Sequence, residues 1–143
     1  DGPTLYDSRV ITRYLDETLH ARLYPAAPRL WDTLVIEATA DGIAEAAVLM
    51  RYEMHVRPEP ARSPAWAEAQ WQKIARALTA LEQRWMSHLS GPLDMGQVAV
   101  GAALGYLDFR QAERDWRAGH PGLAAWYAAF AARPAMQATA PKA

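Results

Sequence analysis

The placement of proline and glycine constrains this chain more than any other feature. Pro25 and Pro28 close a first segment, and Pro58, Pro60 and Pro64 form a second break. Gly91-Pro92 makes a third and Gly119 with Pro121 a fourth, while Pro134 and Pro141 mark the tail. Proline inside a helix removes a backbone donor and clashes with the preceding turn, so each cluster ends an element. The long stretches between breaks carry apolar residues every three or four positions, the helical period. No strand pattern follows Leu5-Tyr6. The chain is therefore expected to form an antiparallel all-α bundle.

The first long helix is expected from about Arg29 to His55. Trp31, Val35, Ala38, Gly42, Ala46 and Leu49 would be its buried stripe, and Glu37, Asp41 and Glu45 its solvent side. The second is expected from about Pro64 to Leu89, capped by Ser63 with Pro64 at the first helical position. Its stripe is Trp71, Ile74, Leu78, Leu81, Trp85 and Leu89, and Gly91 would supply a left-handed stop. Asp94 would cap a third helix, with Gln97 reaching back in a capping-box variant. The residues from Val98 to Gly105 are almost all apolar or small, as in a helix buried on all sides. Gly101 and Gly105, four apart, suit close approach of another helix. A fourth helix starts near Pro121, uses Leu123, Trp126, Tyr127 and Phe130, and is stopped or bent by Pro134.

Composition excludes several functions. The chain has 143 residues, 51% apolar and 22% charged, which suits a globular domain and not a disordered segment. Fifteen basic residues balance sixteen acidic ones, so there is no electrostatic footprint for nucleic acid. With no cysteine there is no disulfide, thiolate metal site or cysteine nucleophile here, which suits a reducing compartment. The longest apolar run, Val98 to Leu107, is too short to span a bilayer. His20, His55, His88 and His120 lack metal-ligand spacing and sit near helix ends, where surface or capping roles are expected; no metal is implied. The tryptophans are expected mostly in the core.

The opening residues, Asp1 to Leu15, read as the tail of a strand, an Asp7-Ser8 step and a short amphipathic helix. A lone strand cannot satisfy its backbone groups. The expectation is thus the end of one domain, residues 1–24, followed by a helical domain, residues 25–143.

These segments resemble the glutathione transferase family. Leu5-Tyr6-Asp7-Ser8-Arg9-Val10-Ile11 with Tyr14-Leu15 is similar to the end of that family's thioredoxin-like domain. Ala40-Asp41-Gly42-Ile43 with Arg51-Tyr52-Glu53 resembles the first long helix of its all-helical domain. Leu93-Asp94-Met95-Gly96-Gln97-Val98-Ala99 with Gly105-Tyr106-Leu107-Asp108-Phe109-Arg110 resembles its buried central helix. His120-Pro121-Gly122-Leu123-Ala124-Ala125-Trp126 and Ala132-Arg133-Pro134 resemble the closing helix. The family usually caps the central helix with Ser or Thr and places Asp three residues on; Asp94 and Gln97 depart from that pattern.

The resemblance implies a glutathione-transferase C-terminal-like bundle with a buried central helix, preceded by a remnant of a thioredoxin-like α/β domain. It implies glutathione as co-substrate, a small electrophile as partner, homodimerisation through the first short and first long helices, and a cytoplasmic, detoxifying role. Ser8 would take the γ-glutamyl carboxylate and Asp7 the ammonium, on a helix start whose free amides attract anions; the plainer alternative is a helix cap, and the two roles are compatible. Asp41 would lie on the dimer face, reach into the neighbouring subunit's site and help hold the glutathione ammonium there, or else belong to a solvated acidic face with Glu37 and Glu45. Met50, Arg51 and Met54 would line the acceptor pocket, where the methionines would accept varied apolar groups, or be ordinary core. No residue here is assigned to catalysis, because the family's thiol-activating Ser, Tyr or Cys lies near the start of the thioredoxin-like domain. The expected function is that of a fragment of a glutathione transferase, inactive alone. The alternative is a non-catalytic binding or assembly module built on the same helical domain.

Overall fold

The structure, a computed structural model, describes residues 2–141. Asp7 caps α1 (Ser8–Leu19): its carboxylate accepts from the Arg9 N–H at 3.0 Å. His20, left-handed at φ 51°, ends that helix. The α2 helix (Arg29–Arg51) runs on into a π-helical turn (Tyr52–Val56). After a short 3-10 turn (Glu59–Ala61), Ser63 caps α3 (Pro64–Ala80) by accepting from Trp66 N–H, and Pro64 opens it as expected. A second π-helical turn (Leu81–Trp85) joins α3 to α4 (Met86–Leu89). The bundle closes with α5 (Met95–Arg110), α6 (Pro121–Ala131) and α7 (Pro134–Ala138). Among the described residues there is no strand, and Leu5-Tyr6 belongs to no regular element.

The core lies where α2 packs on both α5 and α3. Ile36, Ile43, Ile74, Leu81, Leu104, Leu107 and Leu123 are fully buried there. The α3–α4 stripe falls as the spacing predicts: Ile74, Leu78, Leu81 and Leu89 are buried, with Trp71 and Trp85 packed at the margin. The α2 stripe does not. Its interior face is Thr33, Ile36, Ala40, Ile43, Ala47 and Met50, while Trp31 (62% exposed), Val35 and Leu49 face outward. This helix has two apolar faces. Periodicity reports that a face is apolar and cannot say which neighbour covers it. Glu37, assigned to the solvent side, is 4% exposed because the segment between α1 and α2 folds over it.

The α5 helix is largely buried, and its glycines permit the expected close crossing. A Cβ on Gly101 would sit 2.5 Å from the Phe130 ring, and one on Gly105 would sit 3.0 Å from the Tyr127 hydroxyl. One strip, including Ala102, stays exposed. The start of α6 is satisfied from a distance: the Glu82 carboxylate accepts from the N–H groups of Gly122 (3.0 Å) and Leu123 (2.7 Å). Gly119, at φ +82°, makes the preceding turn.

Asp94 is the polar hub of the bundle. It is 1% exposed and caps α5 through Gln97 N–H. Its Oδ2 also accepts from Arg29 (2.9 Å) and Thr33 (3.2 Å) on α2 and contacts His88 Nε2 at 2.6 Å. His88, expected in a surface or capping role, is not at the surface: its side chain is 8% exposed against the Asp94 cap. The reciprocal half of the capping box is replaced: the Gln97 amide donates to the carbonyls of Gly91 and Pro92, not back to the cap. Gly91 is not left-handed either. The Arg29 guanidinium passes within 3.2 Å of where its Cβ would be, so close approach explains the glycine there.

Candidate functional site

Two cavities along α2 gather the residues singled out in the sequence. The first, about 540 Å³, lies between the start of α1 and the middle of α2. Asp7, Ser8, Arg9, Asp41, Glu45 and Leu49 line it. Ser8 is the first helical residue of α1, after the Asp7 cap, so both halves of that step face the cleft from a helix N-terminus. The capping and the cleft-lining positions coincide.

Asp41 supplies the far wall. Its Oδ2 lies 3.1 Å from Arg9 Nε, an ion pair without the alignment of a hydrogen bond, and no donor is directed at that buried oxygen. Burial raises the Asp41 pKa, and Arg9 opposes the rise while Glu45 and Asp7 add to it. The site is therefore electronegative, with one internal cation holding it together.

A polar brace fixes α1 against α2. The Tyr24 hydroxyl donates to Glu37 Oε1 at 2.6 Å and lies 2.9 Å from Thr12 Oγ1 on α1. Asp16 accepts from Leu23 N–H at 2.6 Å. Burial and the Glu37 contact push the Tyr24 phenol up to about 12, so it stays protonated and donating. Burial also raises the Glu37 pKa, against the Tyr24 hydrogen bond that lowers it.

The second cavity, about 490 Å³, is lined by Met50, Arg51 and Met54 together with His55, Arg62, Gln111, Glu113 and Arg114. The three residues proposed for an acceptor pocket thus share one cavity. Met50 is 4% exposed, so it serves core and cavity at once. The wall is more polar and cationic than a methionine pair suggests, because the loop after α5 brings Gln111, Glu113 and Arg114 to it. Arg9 and Arg114 were given no role from the sequence, and Glu45 was placed only on a solvated acidic face. Arg9 had a local signal, its place next to Ser8, whereas Arg114 is 63 residues from Arg51 and only the fold brings them to one wall. Among the described residues no group of three or more His, Asp or Glu side chains is placed to hold a metal ion. Among the same described residues no helix is long and apolar enough to cross a membrane.

A helical bundle wrapped around a capped central helix, with an acidic cleft at the α1 start, defines the class. Residues 64–129 match the family profile described as "Glutathione S-transferase, C-terminal domain". A glutathione transferase family member from Pseudomonas fluorescens Pf-5, crystallised with bound S-(propanoic acid)-glutathione, is 42% identical. It superposes with a TM-score of 0.93 over 99% of this chain and 74% of its own. A glutathione S-transferase from Methylobacillus flagellatus KT with glutathione bound is 37% identical, with a TM-score of 0.89 over 99% of this chain and 72% of its own. The chain belongs to the glutathione transferase family. The GST-like protein YibF of Escherichia coli K12 is 28% identical over 127 residues, 86% of this chain. The chain spans 62% of the length of that curated relative.

Proposed function

We propose that this chain forms the helical domain and one edge of the glutathione site of a glutathione transferase that joins the glutathione thiolate to a small electrophile. The observation that carries the reading is the buried Asp41 Oδ2 with no directed donor, set in one cleft with Asp7 and Ser8. A ligand ammonium there would meet the Asp7 and Asp41 carboxylates. A ligand carboxylate would meet the Ser8 hydroxyl and the Ser8 N–H at the start of α1, because the next three amides are already bonded to Asp7. The γ-glutamyl end of glutathione carries both groups on one carbon. Solved relatives of 37% and 42% identity hold glutathione or its conjugate, which supports the same ligand here.

In this reading residues 1–24 close a thioredoxin-like domain and residues 25–143 form the helical domain. This chain's side chains bind and orient glutathione, while the group that activates its thiol lies outside these residues. The reaction needs no metal, because glutathione brings the nucleophile. A reducing cytoplasm is the compartment proposed for the protein, and detoxification the role that conjugation of electrophiles would serve. Titration calorimetry with glutathione tests the cleft: Asp41→Asn and Ser8→Ala should each weaken binding, and unchanged affinity in both would sink the assignment. An assay of the 143-residue chain alone should show no conjugation.

One observation favours a second reading, an assembly module. Val10, Ile11, Tyr14, Leu15 and Leu19 on α1 are exposed, and so are Trp31, Val35 and Leu49 on α2. A second copy covering this face would give a homodimer, compatible with the transferase reading. Ligand bound only to the folded state raises the melting temperature. No shift at millimolar glutathione would leave assembly as the function.

A further inference from the structure

We infer that the second cavity seats a carboxylate carried by the electrophile, with Arg51 as the residue that makes the enzyme selective for small organic acids with an apolar body. The inference rests on the transferase reading and names the substrate class of its acceptor side.

The cavity combines an apolar floor with a cationic wall. Met50 and Ala67, each 4% exposed, form the floor, and Met54 stands at its edge. Three arginines, Arg51, Arg62 and Arg114, face a single acid, Glu113. Two of the three are already engaged. Arg62 Nε donates to the Arg57 carbonyl at 2.9 Å. Arg114 pairs with Glu68 at 2.8 Å and lies over the Trp71 ring at 5.0 Å. Arg51 has neither an ion pair nor a side-chain hydrogen bond among the described residues, yet it is half-buried at the end of α2.

The Arg51 guanidinium has no protein acceptor among the described residues and is therefore free to meet a ligand. Its planar fork matches a carboxylate with two parallel hydrogen bonds. Apolar floor and cationic wall within one space of about 490 Å³ fit a molecule with both characters, such as an aromatic or short aliphatic acid. The glutathione cleft, lined by Asp7, Asp41 and Glu45 against Arg9 alone, suits an ammonium, whereas the second cavity offers the free cation.

The test is titration of the protein with S-(4-carboxybenzyl)glutathione, its 4-methyl ester on the benzyl group, and glutathione, for the native residue, Arg51→Met and Arg51→Lys. The acid should bind about tenfold tighter than the ester. Arg51→Met should erase that preference while leaving glutathione affinity and the melting temperature in place, and Arg51→Lys should keep part of it. Equal affinity for acid and ester overturns the proposal. So does an equal loss for glutathione itself in Arg51→Met, because Arg51 would then serve a carboxylate of glutathione. Should glutathione not bind at all, the transferase reading fails separately, and 4-ethylbenzoate against 4-ethylbenzamide still probes the pocket. Preference for the benzoate that Arg51→Met removes sustains it, and no preference overturns it.

Discussion

Asp41 carries opposite consequences for folding and for binding. Its carboxyl has a raised pKa because it is buried, and Glu37 is raised for the same reason. A carboxyl whose folded pKa lies above its unfolded one holds more protons in the folded state across that interval. Stability therefore falls as pH rises through it. An ammonium ligand needs the charged carboxylate, so glutathione affinity should fall as pH drops through the raised Asp41 pKa. Calorimetric titrations from neutral pH downward should show this loss setting in above the usual aspartate range, while the melting temperature holds or rises. Asp41→Asn should lower glutathione affinity about tenfold, as expected for losing a charged hydrogen bond, and should flatten that pH dependence. Tyr24→Phe acts differently. It strips the buried Glu37 of its 2.6 Å donor and should cost about 1–3 kcal/mol in urea unfolding.

Helix packing sets the tolerance of each element. Gly101 on α5 is pressed by the Phe130 ring of α6, whereas Gly42 on α2 has nothing within 4 Å of its would-be Cβ. Gly101→Ala should therefore destabilise by about 1–3 kcal/mol through overpacking. Gly42→Ala should stabilise by about 0.5–1 kcal/mol through helix propensity alone. Denaturant midpoints of the two variants, compared at equal slope, give the signs directly. Asp94 ties three elements, since α2, α4 and α5 all place a group on its carboxylate or depend on its cap. Removing it leaves the Arg29 and His88 groups without their acceptor. Asp94→Ala should cost about 3–5 kcal/mol, the scale for breaking a buried pair.

At the scale of the whole molecule, the outer apolar face of α2 reaches the proposed glutathione cleft: Leu49 is both exposed and part of the cleft wall. Burial of this face by a second copy would bring the two clefts close to the dimer axis. Sedimentation at micromolar concentration should give twice the chain mass, and Val35→Glu with Trp31→Glu should shift it to monomer. A single-chain mass for the native protein would show that the face meets something else.

Much of the fold was legible in the chain. Pro28, Ser63-Pro64, Asp94, Pro121 and Pro134 act through backbone geometry and local capping, so the helix limits follow from a few adjacent residues. The α3 stripe was legible for the same reason, because only one of its faces is apolar. The site was legible less completely. Asp7 and Ser8 are neighbours at a helix start, and Met50, Arg51 and Met54 share one helical face, so local spacing brings each set together. Which face of α2 turns inward was decided by packing against α3 and α5, and that choice buried Glu37 and exposed Trp31. The pairing of Arg9 with Asp41, the Asp94 hub and the arginine wall of the second cavity join residues far apart in sequence. Their energies depend on distance and desolvation in three dimensions, and no local pattern encodes either. The sequence by itself determined where helices begin and end; the tertiary structure alone decided which of their charges meet.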